Sequence, residues 1–247
     1  MQGVPFLLLY NISHMRICTW NSRGDKFNNN YVKSLLQKNK IDILCLQECG
    51  NLARYFNKEI KIYDINYYQK VTWYNYVLIY HVWNVGGRCD MAVLVEQNIV
   101  IDNIYINKAQ ILYDKNGDEI SGMPAYSDKS LVRAMMTLEL RYNGISYTIN
   151  SVHLPSGNKS FARKVGYRLF CNYHMKNINN MFTLGDFNTP PNTWTLPNNF
   201  QIIHTNVETH TSGNILDYMI YNNQNQYIAN RVEDTYTSDH YPVYFDI

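Results

Sequence analysis

The sequence has no long apolar run and almost no net charge. None of its apolar stretches approaches the ~20 residues that a transmembrane helix needs, so no such helix is predicted. Its 22 Lys and Arg against 20 Asp and Glu leave a formal charge of +2. Proteins that hold a polyanion by overall charge are far more basic. The composition therefore excludes a histone-like binder, and any role on nucleic acid must depend on local geometry.

Cysteine is scarce and follows no recognisable pattern. The five cysteines form no CxxC pair and no zinc-binding spacing. Because five is an odd number, at least one thiol is unpaired, which indicates a reducing compartment or an intermolecular bridge. Cys18 and Cys45 lie in apolar runs, where a free cysteine is usually a small buried hydrophobe.

Repeats, Pro- or Ser-rich linkers and long charge runs are also missing from the sequence. We therefore predict a single domain over residues 15–247, preceded by an irregular lead-in or a remnant signal over residues 1–14. Residues 4–10 are apolar, but no Lys or Arg precedes them and no small-residue cleavage site follows. This segment is a poor match to a secretion signal.

The order of the predicted elements indicates a sheet covered by helices. Residues 15–20 form a short apolar strand, and apolar positions recur at helical spacing over residues 31–40. Residues 41–46 form a continuous apolar run, which is typical of a strand buried on both faces. A second helix is predicted over residues 160–175. Further strands are predicted at 76–82, 91–95, 99–106, 131–140, 145–152, 181–184, 215–220 and 243–247.

Antiparallel hairpins are expected in the middle of the chain. The dipeptide Asn143-Gly144 is the strongest hairpin signal, between two of these strands. Helices and hairpins interspersed in this way favour a mixed-sheet sandwich of the α/β (α+β) class over a Rossmann fold or a barrel.

Polar residues cluster next to the predicted strands, where a rigid sheet can gather distant side chains into one site. A carboxylate such as Glu48 at the end of an apolar strand is costly to bury without a cation or hydrogen-bond donors, although a lone strand-end acid more often faces solvent. Asp186 and Asn188 would point to the same side of an extended segment, or form a turn and its cap. The other strand-end residues are Asn21, Gln47, His153, Asp239 and His240.

Two further residue types suggest phosphate chemistry. Asp217 lies inside an apolar strand, so its burial demands a partner, and an imidazole is the natural one. Arg88 follows two glycines and Arg133 lies in a β run, where an arginine suits a fixed anion such as phosphate. Oxygen ligands favour Mg²⁺, Mn²⁺ or Ca²⁺ over zinc, and this combination of groups is what phosphoryl transfer needs.

Six motifs occur along the sequence in the order Thr19-Trp20-Asn21, Leu46-Gln47-Glu48, Ser151-Val152-His153, Leu184-Gly185-Asp186-Phe187-Asn188, Leu216-Asp217-Tyr218 and Ser238-Asp239-His240. In this order they resemble the motifs of the endonuclease/exonuclease/phosphatase (deoxyribonuclease I-like) superfamily over residues 15–247. Three segments, at 47–50, 86–88 with 91–95, and 216–218, most resemble the catalytic B subunit of cytolethal distending toxins. The resemblance implies a four-layer α/β sandwich, in which two mixed β-sheets pack face to face and are flanked by helices.

The resemblance also implies a role for each residue. Glu48 would be the principal metal ligand, with Asn21 and Asp239 nearby, and Asn21 would also orient a phosphate oxygen. Asp186 would position or deprotonate the attacking water, helped by Asn188. Asp217 would orient His240. His240 and His153 would face the scissile phosphate, and Arg133 and Arg88 would grip phosphate. The cofactor would be Mg²⁺, with Mn²⁺ or Ca²⁺ able to substitute or assist.

Three features depart from the superfamily pattern. No convincing acid precedes the segment 86–88 to orient His153, as deoxyribonuclease I would have. Residues 114–128 look inserted relative to a compact toxin subunit, and the residues before Met15 have no counterpart.

Three functions follow from these expectations. The first is a divalent-metal-dependent phosphodiesterase that nicks DNA. This enzyme would be a toxin-like effector with delivery or binding subunits. It would be secreted or delivered into a target cell and would act in the nucleus of that cell. The second is an inositol-phospholipid phosphatase with the same site, which the lack of a lysine-rich loop disfavours. The third is an inactive binding module, which the complete residue set disfavours. The net charge of +2 predicts weak DNA binding with a shallow salt dependence.

Overall fold

Two mixed β-sheets form the framework of the described residues in the computed structural model. The structure describes residues 14–23, 28–50, 52, 68–81, 90–108, 134–154, 156, 180–196, 199–223, 225–235 and 237–247. Among these residues, seven strands form the first sheet, in the order β12-β13-β1-β2-β5-β4-β3. Its strands are β1 (Arg16–Asn21), β2 (Ile43–Gln47), β3 (Gln69–Trp73), β4 (Tyr76–His81), β5 (Met91–Glu96), β12 (Ile228–Arg231) and β13 (Val243–Asp246).

In the described part of the chain, the second sheet has six strands in the order β10-β11-β9-β8-β7-β6. Each sheet contains one parallel pair near its centre, β1 with β2 and β8 with β9, and the other pairs of described strands are antiparallel. The strands of this sheet are β6 (Val100–Lys108), β7 (Ala134–Tyr142), β8 (Ile145–His153), β9 (Met181–Asp186), β10 (Gln201–Ile203) and β11 (Asp217–Tyr221).

The main core lies between the two sheets. Ile43 and Val93 of the first sheet share one buried cluster with Leu138, Ile149 and Leu184 of the second. Alternate residues of the same strands face outward into two further apolar clusters, one on each outer face. Because both faces of both sheets are covered, the central strands read as continuous apolar runs in the sequence.

Helix α1 (Asn29–Asn39) covers the outer face of the first sheet through Val32, Leu35 and Leu36. Its start is fixed by Asn28, whose side chain accepts hydrogen bonds from two backbone N–H groups of the first turn. It ends at Lys40, which adopts a left-handed conformation with φ 50°.

Removing this cap tests the reading of the helix start. Asn28→Ala is expected to lower the free energy of unfolding by about 1 kcal/mol, because two N–H groups lose their acceptor. The exposed Asn30, two positions further on, is the matched control, and Asn30→Ala is expected to change stability by less than about 0.5 kcal/mol. Urea unfolding of both variants measures the difference, and equal midpoints would contradict the assignment of the cap.

The predicted fold class, an α/β sandwich of two mixed sheets, is confirmed. Asn143 and Gly144 form the expected hairpin turn, with φ of 51° and 80°. Strands β3, β10 and β12 were not predicted. The predicted helix at 160–175, the segment 114–128 and residues 1–13 lie outside the described residues, and a single domain over 15–247 stays a prediction.

Three described cysteines, Cys18, Cys45 and Cys49, are buried and free, which agrees with the expectation for the first two. Burial raises the pKa of all three thiols. Within the described part of the chain, no helix is long and apolar enough to cross a membrane.

Candidate active site

The carboxyl ends of the two parallel strand pairs carry the polar residues of the site. In the first sheet, Asn21 ends β1 and Glu48 follows β2, whose last residue pairs with Asn21. In the second sheet, His153 ends β8 and pairs with Asp186, the last residue of β9. Asn21 Nδ2 donates to Asp186 Oδ2 at 3.0 Å, so the two ends meet across the sandwich.

Asp186 lies at the centre of the site. Its Oδ2 accepts hydrogen bonds from Asn21 Nδ2 and, at 3.2 Å, from Asn188 Nδ2. The same oxygen is 3.6 Å from His153 Nε2 and 3.7 Å from His240 Nε2. Burial of this side chain, 1% exposed, raises the pKa of Asp186 to about 6, against the opposing charge of His240. A carboxylate with such a pKa is ionised at neutral pH and can still accept a proton.

A tight turn, not an extended strand, brings Asn188 to Asp186. Asn188 has a left-handed φ of 49°, and its backbone N–H donates to Asp186 Oδ1 at 2.9 Å. Its amide nitrogen also donates to Leu154 O at 2.7 Å. The expectation that alternation would align the two side chains therefore gave the correct neighbours for the wrong reason, and the turn-and-cap alternative describes the geometry.

Gly185 allows β8 and β9 to approach each other at the site. Its φ is 154°, and a Cβ at this position would lie 2.0 Å from the backbone oxygen of Val152. A side chain is therefore excluded one residue before Asp186 and opposite the residue before His153. The requirement for glycine at this position of the motif is therefore steric.

Asp217 and His240 form a buried pair behind Asp186. Asp217 begins β11 in register with Asp186, is 0% exposed, and its Oδ2 lies 2.8 Å from His240 Nδ1. Thr209 Oγ1 donates to the same carboxylate oxygen at 2.9 Å. Burial alone would lower the pKa of His240, but Asp217 and Asp186 outweigh it and raise that pKa to about 10. His240 is therefore a cation at neutral pH, and its Nε2–H points toward Asp186.

Glu48 is held by a strained backbone. It has φ 50°, an uncommon value for a residue with a side chain. Ser22 Oγ donates to its carbonyl oxygen at 3.0 Å, and the N–H of Cys49 donates to Asp90 O at 3.1 Å. Its carboxylate, 27% exposed, lies 3.4 Å from Asn21 Nδ2 and 3.6 Å from His153 Nε2. Glu48 and Asp186 thus share two nitrogen neighbours.

Asp239 lies on the more exposed side of the site. Ser238 Oγ donates to Asn21 O at 2.7 Å, which fixes the preceding residue against β1. The described ion-pair contacts of Asp239 are with Arg23 Nε at 3.7 Å and His210 Nε2 at 3.8 Å. The residue before Asp239 is therefore packed against Asn21. The carboxylate of Asp239 lies near Arg23 and His210, whereas that of Glu48 lies near Asn21 and His153.

The donor set fits a hard divalent cation. Two carboxylates that share the same nitrogen neighbours repel each other unless a cation or a proton lies between them. Asn21 Oδ1 accepts one hydrogen bond, from the N–H of Arg23 at 3.0 Å, and keeps a second lone pair for a ligand. Carboxylate and amide oxygens are the ligands that Mg²⁺, Mn²⁺ and Ca²⁺ prefer. Two further groups of described side chains lie close enough to share an ion. One is Asp186 with Asp217 and His240, and the other is His210 with Asp239 and His240.

The structure brings together eight of the ten residues predicted from the sequence, and the other two, Arg88 and Arg133, lie outside the described residues. Sequence reasoning missed Thr209, His210 and Arg23. Thr209 and His210 precede a short turn with no periodic apolar pattern, so their only signal is their position a few residues before Asp217. Burial and the neighbouring His240 lower the pKa of His210.

The sequence matches the family model described as Endonuclease/Exonuclease/phosphatase family over residues 18–240. No curated protein matches it. The structure of CdtB, the biologically active subunit of cytolethal distending toxin, is 20% identical, with a TM-score of 0.66 over 94% of this chain and 96% of that one.

Two other solved structures are similar in fold. The structure of D. rerio TDP2 complexed with single-strand DNA product is 14% identical, with a TM-score of 0.65 over 95% of this chain and 98% of that one. The human Nocturnin catalytic domain with bound sulfate anion is 17% identical, with a TM-score of 0.60 over 94% of this chain and 92% of that one. These likenesses show the fold.

Proposed function

We propose that the chain, which belongs to the endonuclease/exonuclease/phosphatase family, is a divalent-metal-dependent phosphodiesterase that nicks DNA. The observation that carries this proposal is the convergence on Asp186 Oδ2, which lies 3.6 Å from His153 Nε2 and 3.7 Å from His240 Nε2. Two imidazoles on either side of a carboxylate, beside the oxygen ligands of Glu48 and Asn21, supply the groups that phosphodiester hydrolysis needs.

Asp186 is the residue that orients the attacking water. Its Oδ2 faces the two imidazoles, and Asn21 and Asn188 hold it in place through their amide nitrogens. The raised pKa of Asp186, about 6, lets the carboxylate take a proton from the water as the bond to phosphorus forms. Asn188 is the positioning residue, since it also donates to Leu154 O.

The two histidines face the scissile phosphate. Asp217 keeps His240 protonated, so His240 offers a fixed cationic N–H to a phosphate oxygen. His153 is the second imidazole and delivers the proton to the leaving oxygen. Arg88 and Arg133, which lie outside the described residues, are proposed to grip the same phosphate.

Glu48, Asn21 and Asp239 are proposed to hold the divalent cation, Mg²⁺ or a substitute such as Mn²⁺ or Ca²⁺. When bound, the ion neutralises charge on the phosphate and makes the phosphorus easier to attack. The partly exposed carboxylate of Glu48 and the exposed side of Asp239 leave a path for both ion and substrate.

DNA is the preferred substrate class because the D. rerio TDP2 structure, which is similar in fold, holds a single-strand DNA product. We further propose that this chain is a toxin-like effector, since CdtB, which is also similar in fold, is the biologically active subunit of a toxin. It would act on DNA inside a target cell, in the nucleus, and delivery subunits would accompany it. A net charge of +2 fits an enzyme that grips few phosphates rather than one that coats DNA.

The test is relaxation of supercoiled plasmid by the purified protein. Nicking is expected with Mg²⁺, and EDTA is expected to abolish it. His153→Ala is expected to lower the rate by roughly 10²–10⁴-fold, because the leaving oxygen loses its proton donor. His204→Gln, on an exposed histidine of another segment, is the matched control and should nick at the wild-type rate.

Three outcomes would reverse the proposal. Nicking that persists in EDTA would exclude the metal-dependent mechanism. Phosphate release from 3- or 5-phosphorylated inositides much faster than nicking, at equal metal concentration, would make the chain an inositol-phospholipid phosphatase. Failure of both reactions with every divalent metal would indicate an inactive binding module.

A further inference from the structure

The hydroxyl of Thr209 contacts the buried carboxylate of Asp217. Thr209 Oγ1 lies 2.9 Å from Asp217 Oδ2, the same oxygen that lies 2.8 Å from His240 Nδ1. Thr209 and Asp217 are both fully buried, so bulk water does not compete for this hydrogen bond. The carboxylate that faces the imidazole is therefore also held by a hydroxyl.

The direction of this hydrogen bond follows from the other two contacts of the hydroxyl. The backbone N–H groups of Leu216 and Asp217 donate to Thr209 Oγ1 at 2.9 and 3.0 Å. A hydroxyl has two acceptor lone pairs and one proton, so these two N–H groups occupy both lone pairs. The proton is left for Asp217 Oδ2, and Thr209 is the donor of that hydrogen bond.

These hydrogen bonds fix the carboxylate of Asp217 relative to its own backbone. One hydroxyl accepts from the N–H of Asp217 and donates to its side chain, which closes a ring within a single residue. Rotation about the Cβ–Cγ bond of an aspartate is otherwise soft. Asp217 Oδ1 has no hydrogen-bond partner among the described residues. The contacts of Oδ2 with Thr209 and His240 therefore set the rotation of the carboxylate.

The backbone of Thr209 connects this restraint to the segment that carries His240. The carbonyl oxygen of Thr209 accepts from Tyr241 N at 2.8 Å, and its N–H donates to Asn214 O at 3.0 Å. Tyr241 directly follows His240 in the chain. Thr209 thus contacts Asp217 through its side chain and the neighbour of His240 through its backbone, so its position affects both members of the pair.

We propose that Thr209 is a positioning residue, whose hydroxyl holds Asp217 Oδ2 in line with His240 Nδ1 and so sets the direction in which the opposite ring nitrogen faces the phosphate. This inference rests on the proposed function in one respect, that His240 faces the scissile phosphate. Thr209 itself touches no reacting atom and acts only through Asp217. A misplacement of about 1 Å in a reacting group can lower turnover about 100-fold.

Thr137, on β7 of the second sheet, offers a matched comparison. It is also fully buried, and its Oγ1 donates to Asn150 Oδ1 at 2.7 Å and accepts from Asn107 Nδ2 at 2.8 Å. None of these three residues belongs to the candidate site. Loss of the Thr137 hydroxyl therefore breaks buried hydrogen bonds without touching Asp217 or His240, and it reports the effect of lost stability alone.

Steady-state nicking of supercoiled plasmid tests the proposal. Thr209→Val, which keeps the shape and removes the hydroxyl, is expected to lower kcat about 10–100-fold and to leave KM within about threefold, because no group that binds DNA is lost. Thr209→Ser, which keeps the hydroxyl, should stay within about threefold of the wild-type kcat. Thr137→Val should lower stability and leave kcat unchanged. A wild-type kcat in Thr209→Val, or equal losses in the valine and serine variants, would overturn the proposal.

A second variant covers the case in which Thr209→Val does not fold, since it leaves the N–H groups of Leu216 and Asp217 without their acceptor. Thr209→Cys places a thiol, a weaker donor and acceptor, at the same position. Its kcat is expected to lie at least about fivefold below that of Thr209→Ser. Equal kcat values in the cysteine and serine variants would contradict a role for the hydroxyl.

The ring N–H of His240 that faces Asp217 gives a readout without DNA. In ¹H–¹⁵N spectra its proton is expected far downfield, because it lies in a 2.8 Å contact with a buried carboxylate, and His240→Gln assigns it. Thr209→Val is expected to shift or broaden this signal, whereas Thr209→Ser and Thr137→Val leave it unchanged. An unchanged signal in Thr209→Val would overturn the inference. A signal that responds in this way in a protein that does not nick DNA would overturn the proposed function and leave the restraint on Asp217 standing.

Discussion

Replacing Asp217 by asparagine is expected to lower the turnover of plasmid nicking roughly 10²–10⁴-fold while leaving the protein folded. Asp217 is fully buried and accepts from His240 Nδ1 at 2.8 Å. An asparagine of the same shape carries no charge, so the pKa of His240 falls and less of the imidazole is cationic at neutral pH. Its amide can also present an N–H to Nδ1, which would favour the neutral ring and leave the phosphate with an uncharged N–H donor.

The measurement is single-turnover nicking at saturating Mg²⁺, together with thermal unfolding. Asp102→Asn is the matched control, since Asp102 pairs with Arg141 on the surface of the second sheet and should change neither quantity appreciably. A wild-type rate in Asp217→Asn would show that His240 needs no buried carboxylate. The buried Asp217 Oδ1, which has no hydrogen-bond partner among the described residues, indicates that this aspartate is placed for its charge rather than for stability.

Replacing Gly185 by alanine is expected to destabilise the protein by more than about 3 kcal/mol and to abolish activity. The added Cβ would lie 2.0 Å from Val152 O, a backbone atom that cannot rotate away. The two central strands would have to separate at the point where they carry His153 and Asp186. Stability and chemistry are therefore lost through the same displacement.

Urea unfolding measures this loss against Gly144→Ala. Gly144 has a φ of +80° in a hairpin turn, with nothing within 4 Å of an added Cβ. Its substitution should therefore cost only the backbone strain of a left-handed residue, about 1–2 kcal/mol. Equal losses in the two variants would contradict the steric argument for Gly185.

The central part of the fold could be predicted because strands buried on both faces have a recognisable sequence pattern. Strand β2 is buried at all five positions, so it reads as one apolar run. Strands β3, β10 and β12 lie at sheet edges and are only partly buried, so each lacks a continuous apolar run. Their pairing depends on neighbours that are distant in the chain, which periodicity does not record.

The candidate site divides in the same way. Residues at the ends of apolar strands, such as Glu48 and His153, could be predicted because polarity changes abruptly there. The position of His210 beside the site could not, since it comes from an isolated bridge to His240 and from a hydrogen bond within its own turn. The turn that brings Asn188 to Asp186 was one of two alternatives that the sequence left open, because a left-handed φ at an asparagine is set by context.

The site is built at the centre of both sheets, on strand pairs with neighbours on either side. Edge strands such as β3 and β6 can therefore fray, exchange their amide protons or tolerate insertions while the reactive groups keep their spacing. Opening of the sandwich has the opposite effect, because Asn21 comes from one sheet and Asp186 from the other. The geometry of the candidate site is therefore kept when the edge strands open locally, and it is lost only on global unfolding.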